Sequence, residues 1–182
     1  MKCDVLILPG LWNSGPRHWQ TLWHERNPHW RRAEHRDWTN PHCDEWVAEL
    51  DAAIADCQGP PILVAHSLGC MLVAHWALSN SPLKVAGAFL VSPSDVEAPS
   101  YPAEQNCWAP VPQHPLPFPS LVVGSANDPF ARAERTSAFA SAWGSRLVEI
   151  GDAGHLNTES GHGDWPEGLR LLEQFCDEIT WP

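Results

Sequence analysis

The sequence predicts an α/β fold, a mainly parallel sheet of six strands covered by helices on both faces. Two observations carry that prediction. Short, almost continuous apolar runs alternate with longer amphipathic segments, the pattern of strands buried on both sides and helices buried on one. In addition, Ile62-Leu63-Val64 passes through Ala65-His66-Ser67-Leu68-Gly69 into the apolar run Cys70-Met71-Leu72-Val73-Ala74-His75-Trp76-Ala77-Leu78. That reads as strand, sharp turn and helix in immediate succession. At 182 residues the chain is long enough for one domain with a substantial core.

Strands are expected at residues 3–8, 31–35, 62–65, 85–92, 121–124 and 147–150, the second being the weakest in apolar content. The first follows Met1-Lys2 directly, too short an apolar run for a signal peptide. Helices fill the intervals. Trp19, Leu22, Trp23 and Arg26 fall on helical spacing, with Trp30 beyond. Trp46, Val47, Leu50, Ile54 and Cys57 form a second stripe. Leu169, Leu172, Phe175, Cys176 and Ile179 mark the last helix, with Pro166 in its first turn. Residues 93–119 carry Pro93, Pro99, Pro102, Pro110, Pro112, Pro115, Pro117 and Pro119, a density that regular structure does not survive. This long loop is expected to form a small lid or wall over the site, because neither flanking half has enough strands to stand alone.

Composition excludes several classes of function. Eleven Lys+Arg against 22 Asp+Glu give a net charge of −11, which argues against nucleic-acid partners and anionic membranes. No stretch approaches the roughly 20 apolar residues that span a bilayer. Cys3, Cys43, Cys57, Cys70, Cys107 and Cys176 show no C-x-x-C pair, so reduced, mostly buried thiols in a cytoplasmic protein are expected. Neither G-x-x-x-x-G-K-[ST] nor G-x-G-x-x-G occurs, and the histidines lack H-x-x-x-H or H-E-x-x-H spacing. No nucleotide cofactor and no metal are therefore expected. The eleven tryptophans read mostly as core, with Trp12 and Trp108 assigned to the mouth of a substrate pocket.

In open parallel sheets ligands bind beyond the carboxyl ends of the strands. Strand three ends at Ser67. Strand five runs into Ser125-Ala126-Asn127-Asp128-Pro129-Phe130, and strand six into Gly151-Asp152-Ala153-Gly154-His155-Leu156. A nucleophile, an acid and a base thus stand at three strand ends in the order Ser…Asp…His, the order used by α/β-hydrolases. Ser67 can attack a carbonyl carbon if its proton leaves to His155, and Asp128 would fix the imidazole tautomer. The tetrahedral oxyanion needs donors, for which the backbone N–H of Leu68 and of Leu11 are the candidates, with Trp12 next. Asp95, after strand four, is a rival acid, and Asp128 could instead be a turn residue before Pro129. Asp152 shares the short loop of His155 and is poorly placed to reach the ring. His66 adjoins Ser67, so its side chain points away and a hydrogen-bonded structural role is expected.

With Ile7-Leu8-Pro9-Gly10, Ala65-His66-Ser67-Leu68-Gly69, the Asn127-Asp128-Pro129-Phe130 segment and Gly154-His155-Leu156-Asn157-Thr158-Glu159, the chain resembles the retinoblastoma-binding protein 9 / YdeN family of small serine hydrolases over nearly its whole length. The resemblance implies an α/β-hydrolase fold with strand order 2-1-3-4-5-6 and a minimal cap. It also places the triad on Ser67, Asp128 and His155, favouring Asp128 over Asp95. Family members are cytosolic and esterase-like or peptidase-like. The expected activity is cleavage of carboxylic esters, thioesters or small amides through an acyl-enzyme, without a cofactor. The alternative is a non-catalytic protein-binding module that keeps the fold. Ala65 departs from the glycine many relatives carry, and the mammalian partner in the family name does not transfer to this chain.

Overall fold

The computed structural model describes residues 4–101 and 107–179; Cys3, Pro102 and Trp181 lie outside them. The strands are β1 (Val5–Leu8), β2 (Arg31–Arg32), β3 (Ile62–His66), β4 (Gly87–Val91), β5 (Ser120–Gly124) and β6 (Arg146–Glu149). They form one six-stranded sheet in the order β2-β1-β3-β4-β5-β6, and every neighbouring pair is parallel. The helices are α1 (Trp19–Arg26), α2 (Cys43–Ala55), α3 (Leu68–Leu78), α4 (Ala133–Trp143) and α5 (Pro166–Glu178).

The sheet is buried on both faces, as its apolar strands require, and the two-residue period of each strand sorts the core into two. Leu6, Leu8, Leu63, Ala65, Leu90 and Val122 point to the face covered by α2, α3 and α4. Val5, Ile7, Ile62, Val64, Phe89, Val91 and Val123 point to the face covered by α1 and α5. Trp19, Trp23 and Trp165 pack together on this second face, with Trp23 and Trp165 stacked at 12°. Trp46 and Trp143 keep their buried indole N–H groups bonded, to the Asp37 and the Pro112 carbonyl respectively.

Three expectations change in detail. Strand two ends at Arg32, because the next residues turn inward: His35 stacks on Trp46 with ring centroids 3.9 Å apart and bonds Glu49 through Nδ1 at 2.7 Å. Strand four is shorter than residues 85–92, since Ser92 takes φ +46° and swings the chain off the sheet. The proline-rich loop divides in two. Ser94, Asp95, Ser100 and Tyr101 line the site, whereas Trp108 and Val111 are buried in the α2–α4 core. Among the described residues no α-helix joins β4 to β5, so this segment supplies the apolar cover that a crossover helix normally gives.

Candidate active site

Ser67 sits between β3 and α3 with φ 58° and ψ −123°, a strained conformation for a residue with a side chain. Its N–H donates to the Val91 carbonyl at 3.0 Å, and its own carbonyl accepts from Cys70 at 3.0 Å, so the turn is clamped on both sides. Two glycines let neighbouring backbone approach this turn. A Cβ on Gly69 would lie 2.5 Å from the Leu8 carbonyl oxygen, and one on Gly10 would lie 2.8 Å from Ser67 Cβ. No such demand falls on position 65. Ala65 lies within β3 opposite Leu8 and Leu90, with its methyl in the core of that face. The departure from glycine is accommodated by packing.

The loops after β5 and β6 bring Asp128 and His155 to Ser67. His155 Nε2 is 2.9 Å from Ser67 Oγ, and His155 Nδ1 is 2.9 Å from both Asp128 carboxylate oxygens. Side-chain exposure is 7% for His155 and 2% for Asp128, so this pairing is shielded from water. Asp128 also accepts the Phe130 N–H at 2.9 Å, which orients its carboxylate within the turn. The two loops are tied together by side chains that sequence reasoning passed over. Ala153 N–H donates to Ser125 Oγ at 2.9 Å, and Gly154 N–H donates to Asn127 Oδ1 at 2.7 Å. Trp19 Nε1 donates to the Leu156 carbonyl at 2.8 Å, next to His155 in the chain.

The other candidates separate clearly. Asp95 pairs with Arg135 at 3.1 Å and leaves His155 to Asp128. Asp152 is exposed. His66 Nε2 donates to the His155 carbonyl at 2.8 Å, and burial, with His155 and His18 nearby, holds its imidazole far below the usual range. His18 caps α1 by accepting the Gln20 N–H on Nδ1 at 3.2 Å. Burial, with lesser contributions from Arg32 and His155, lowers it to about 3, so it remains neutral at physiological pH. Gln20 in turn donates to the carbonyls of Leu8 and Val64, both at 3.1 Å, bridging the carboxyl ends of β1 and β3.

A cavity of about 430 Å³ opens above Ser67. Leu11 and Leu68 line it, and among the described residues neither amide donates to another protein group. The Trp12 amide is removed from contention, because it donates to the Trp38 carbonyl at 2.9 Å. Trp12, 70% exposed, lines the cavity, as does Phe130, 54% exposed. Trp108 does not belong at the mouth and its placement is corrected. It is fully buried, donates through Nε1 to the Pro41 carbonyl at 3.2 Å and packs edge-on against Trp46 and His75. The cavity is lined by Asp95 and Glu159 and, among the described residues, by no lysine or arginine. Among those residues, no group of three or more His, Cys, Asp or Glu could hold a metal ion, and no helix is long and apolar enough to cross a membrane.

Residues 5–174 match the serine hydrolase family. The chain belongs to that family. It is a YdeN-like hydrolase of the α/β-hydrolase superfamily: a YdeN-like hydrolase from Pectobacterium atrosepticum is 34% identical, with 98% of this chain and 92% of that one covered and a TM-score of 0.88. The YdeN protein of Bacillus subtilis is 20% identical, covering 97% and 100% of the two chains, with a TM-score of 0.77. Thermogutta terrifontis esterase 2 shares the fold at 18% identity, 98% and 84% coverage and a TM-score of 0.68. No curated protein matches the sequence.

Proposed function

We propose that this serine hydrolase cleaves uncharged carboxylic esters, thioesters or small amides through an acyl-enzyme on Ser67. The observation that carries the reading is the imidazole of His155, hydrogen-bonded at one nitrogen to Ser67 and at the other to Asp128. A carboxylate on Nδ1 selects the tautomer that leaves the Nε2 lone pair facing the serine hydroxyl. As Ser67 Oγ bonds to the substrate carbonyl carbon, its proton passes to Nε2, and Asp128 stabilises the imidazolium. The carbonyl oxygen becomes an oxyanion, held by the Leu68 and Leu11 amides. His155 then protonates the leaving group, and water repeats the cycle on the acyl-enzyme. The acidic lining, with no lysine or arginine among the described residues, supports neutral acyl chains, which Trp12 and Phe130 would cover at the mouth.

The chain is further read as a single domain of a reducing compartment, the cytosol, supported by the unpaired thiols of Cys43 and Cys70. Burial pushes Cys43 up to about 12 and Cys70 higher still, so neither is a competing nucleophile. Turnover of p-nitrophenyl acetate, compared between the wild type and Ser67→Ala, tests the reading. Loss of the nucleophile is expected to lower kcat by ~10⁶. A folded Ser67→Ala variant that retains a tenth of the activity would remove the serine from the mechanism.

A further inference from the structure

We propose that Ser94 is a fourth catalytic residue, donating a hydrogen bond to Ser67 Oγ that stabilises this oxygen as it leaves the acyl-enzyme. The inference rests on Ser67 being the nucleophile. Ser94 Oγ lies 2.7 Å from Ser67 Oγ, closer than His155 Nε2 at 2.9 Å. The residue is only 6% exposed and lines the cavity.

Its position is built into the backbone. Ser92 at φ +46°, followed by the fixed φ of Pro93, turns the chain back over the elbow as it leaves β4. On the far side, the Asp95 N–H donates to the Phe130 carbonyl at 3.0 Å, and the Asp95 carboxylate pairs with Arg135. The Ser94 carbonyl itself accepts from Val96 at 3.1 Å. The hydroxyl is thus presented from a segment held at both ends.

The direction of the hydrogen bond follows from the histidine tautomer. His155 Nδ1 faces Asp128, so Nε2 accepts the single proton of Ser67 Oγ. Ser67 has no second proton to give. The short oxygen–oxygen contact therefore requires Ser94 as donor and Ser67 as acceptor.

Acceptor strength at Ser67 Oγ changes through the cycle, and the role follows from that change. An ester oxygen is a weaker acceptor than an alcohol oxygen, and both are weaker than an oxygen gathering negative charge. In deacylation His155 takes a proton from water, whose oxygen bonds to the acyl carbon. The tetrahedral species then collapses, the carbon–Oγ bond breaks with its electron pair on Oγ, and His155 returns the proton to that oxygen. Ser94 keeps its own proton throughout and strengthens its hydrogen bond as charge develops. Acylation starts from an alcohol oxygen already bonded to Ser94, so the same contact assists it less.

Pre-steady-state kinetics on p-nitrophenyl esters, with p-nitrophenol release followed through the burst and into steady state, resolves the two half-reactions. Ser94→Ala is expected to slow deacylation on the order of tenfold to a hundredfold, with acylation within about threefold of wild type. Acyl-enzyme then accumulates, and kcat and KM fall together while kcat/KM is nearly kept. Ser94→Thr, which keeps the hydroxyl, should restore deacylation. Ser94→Cys keeps the size but offers a weak donor and should behave like Ser94→Ala, serving in its place if the alanine variant does not fold. Equal losses in both half-reactions, or no loss in either, would overturn the assignment of Ser94 while covalent labelling of Ser67 in the wild type still upholds the nucleophile. Absence of covalent labelling at Ser67 in the wild type would instead overturn the underlying reading.

Discussion

At the scale of residues, the choice between two acids turns on which one meets Nδ1 of His155. Asp128 places both carboxylate oxygens at 2.9 Å, whereas Asp95 is engaged by Arg135. Asp128→Asn is therefore expected to lower kcat by ~10⁴ through loss of the tautomer-fixing carboxylate. Asp95→Asn should stay within about tenfold, measured on the same ester. A larger loss from Asp95→Asn than from Asp128→Asn would reverse the assignment. That Ser67, Asp128 and His155 come together was legible in the sequence because each lies past an apolar run at the end of a parallel strand. Asp95 meets the same condition, and in the sequence only the family resemblance separates the two acids. Ser94 was not legible, since a serine in a proline-rich loop carries no periodic signal and its proximity to Ser67 exists only in three dimensions. Trp108 misled for a related reason: an indole is both large and polar at one edge, so it suits a pocket mouth and a core equally well. The Pro41 carbonyl decides it.

At the scale of elements, the strand–turn–helix unit works because small residues stand where backbones cross. Gly69 meets the Leu8 and Pro9 carbonyls, rigid groups that cannot yield to a side chain. Gly69→Ala is expected to destabilise the fold by about 1–3 kcal/mol and to displace α3 relative to β1. Chemical denaturation together with ester turnover checks this, and a variant with wild-type stability and rate would contradict it. Most elements could be read from periodicity, but their ends could not. Strand two stops where His35 finds Trp46 and Glu49, partners distant in sequence that no local pattern announces. The path between β4 and β5 was equally opaque, because prolines exclude regular structure without specifying what replaces it.

At the scale of the whole molecule, one property follows from burying neutral histidines around the sheet. Burial lowers His18 to about 3 and depresses His35, His66 and His75 as well. Between the ordinary histidine range and these lowered values, the unfolded chain binds protons that the folded chain does not, so stability falls as pH falls. From pH 7.5 to pH 5 the His18 contribution alone amounts to about 2 kcal/mol, and the other three act in the same direction. Urea midpoints measured at the two pH values should show this loss. Stability that is unchanged or higher at pH 5 would contradict it. The two-faced core and the strand order together place three strand ends above one cavity, and the central claim is that Ser67 is the nucleophile there. Its most direct test is the site of covalent labelling by a fluorophosphonate probe, read by mass spectrometry of the digested protein. The account predicts a single adduct on Ser67, absent from Ser67→Ala; an adduct elsewhere, or labelling unchanged in that variant, would contradict it.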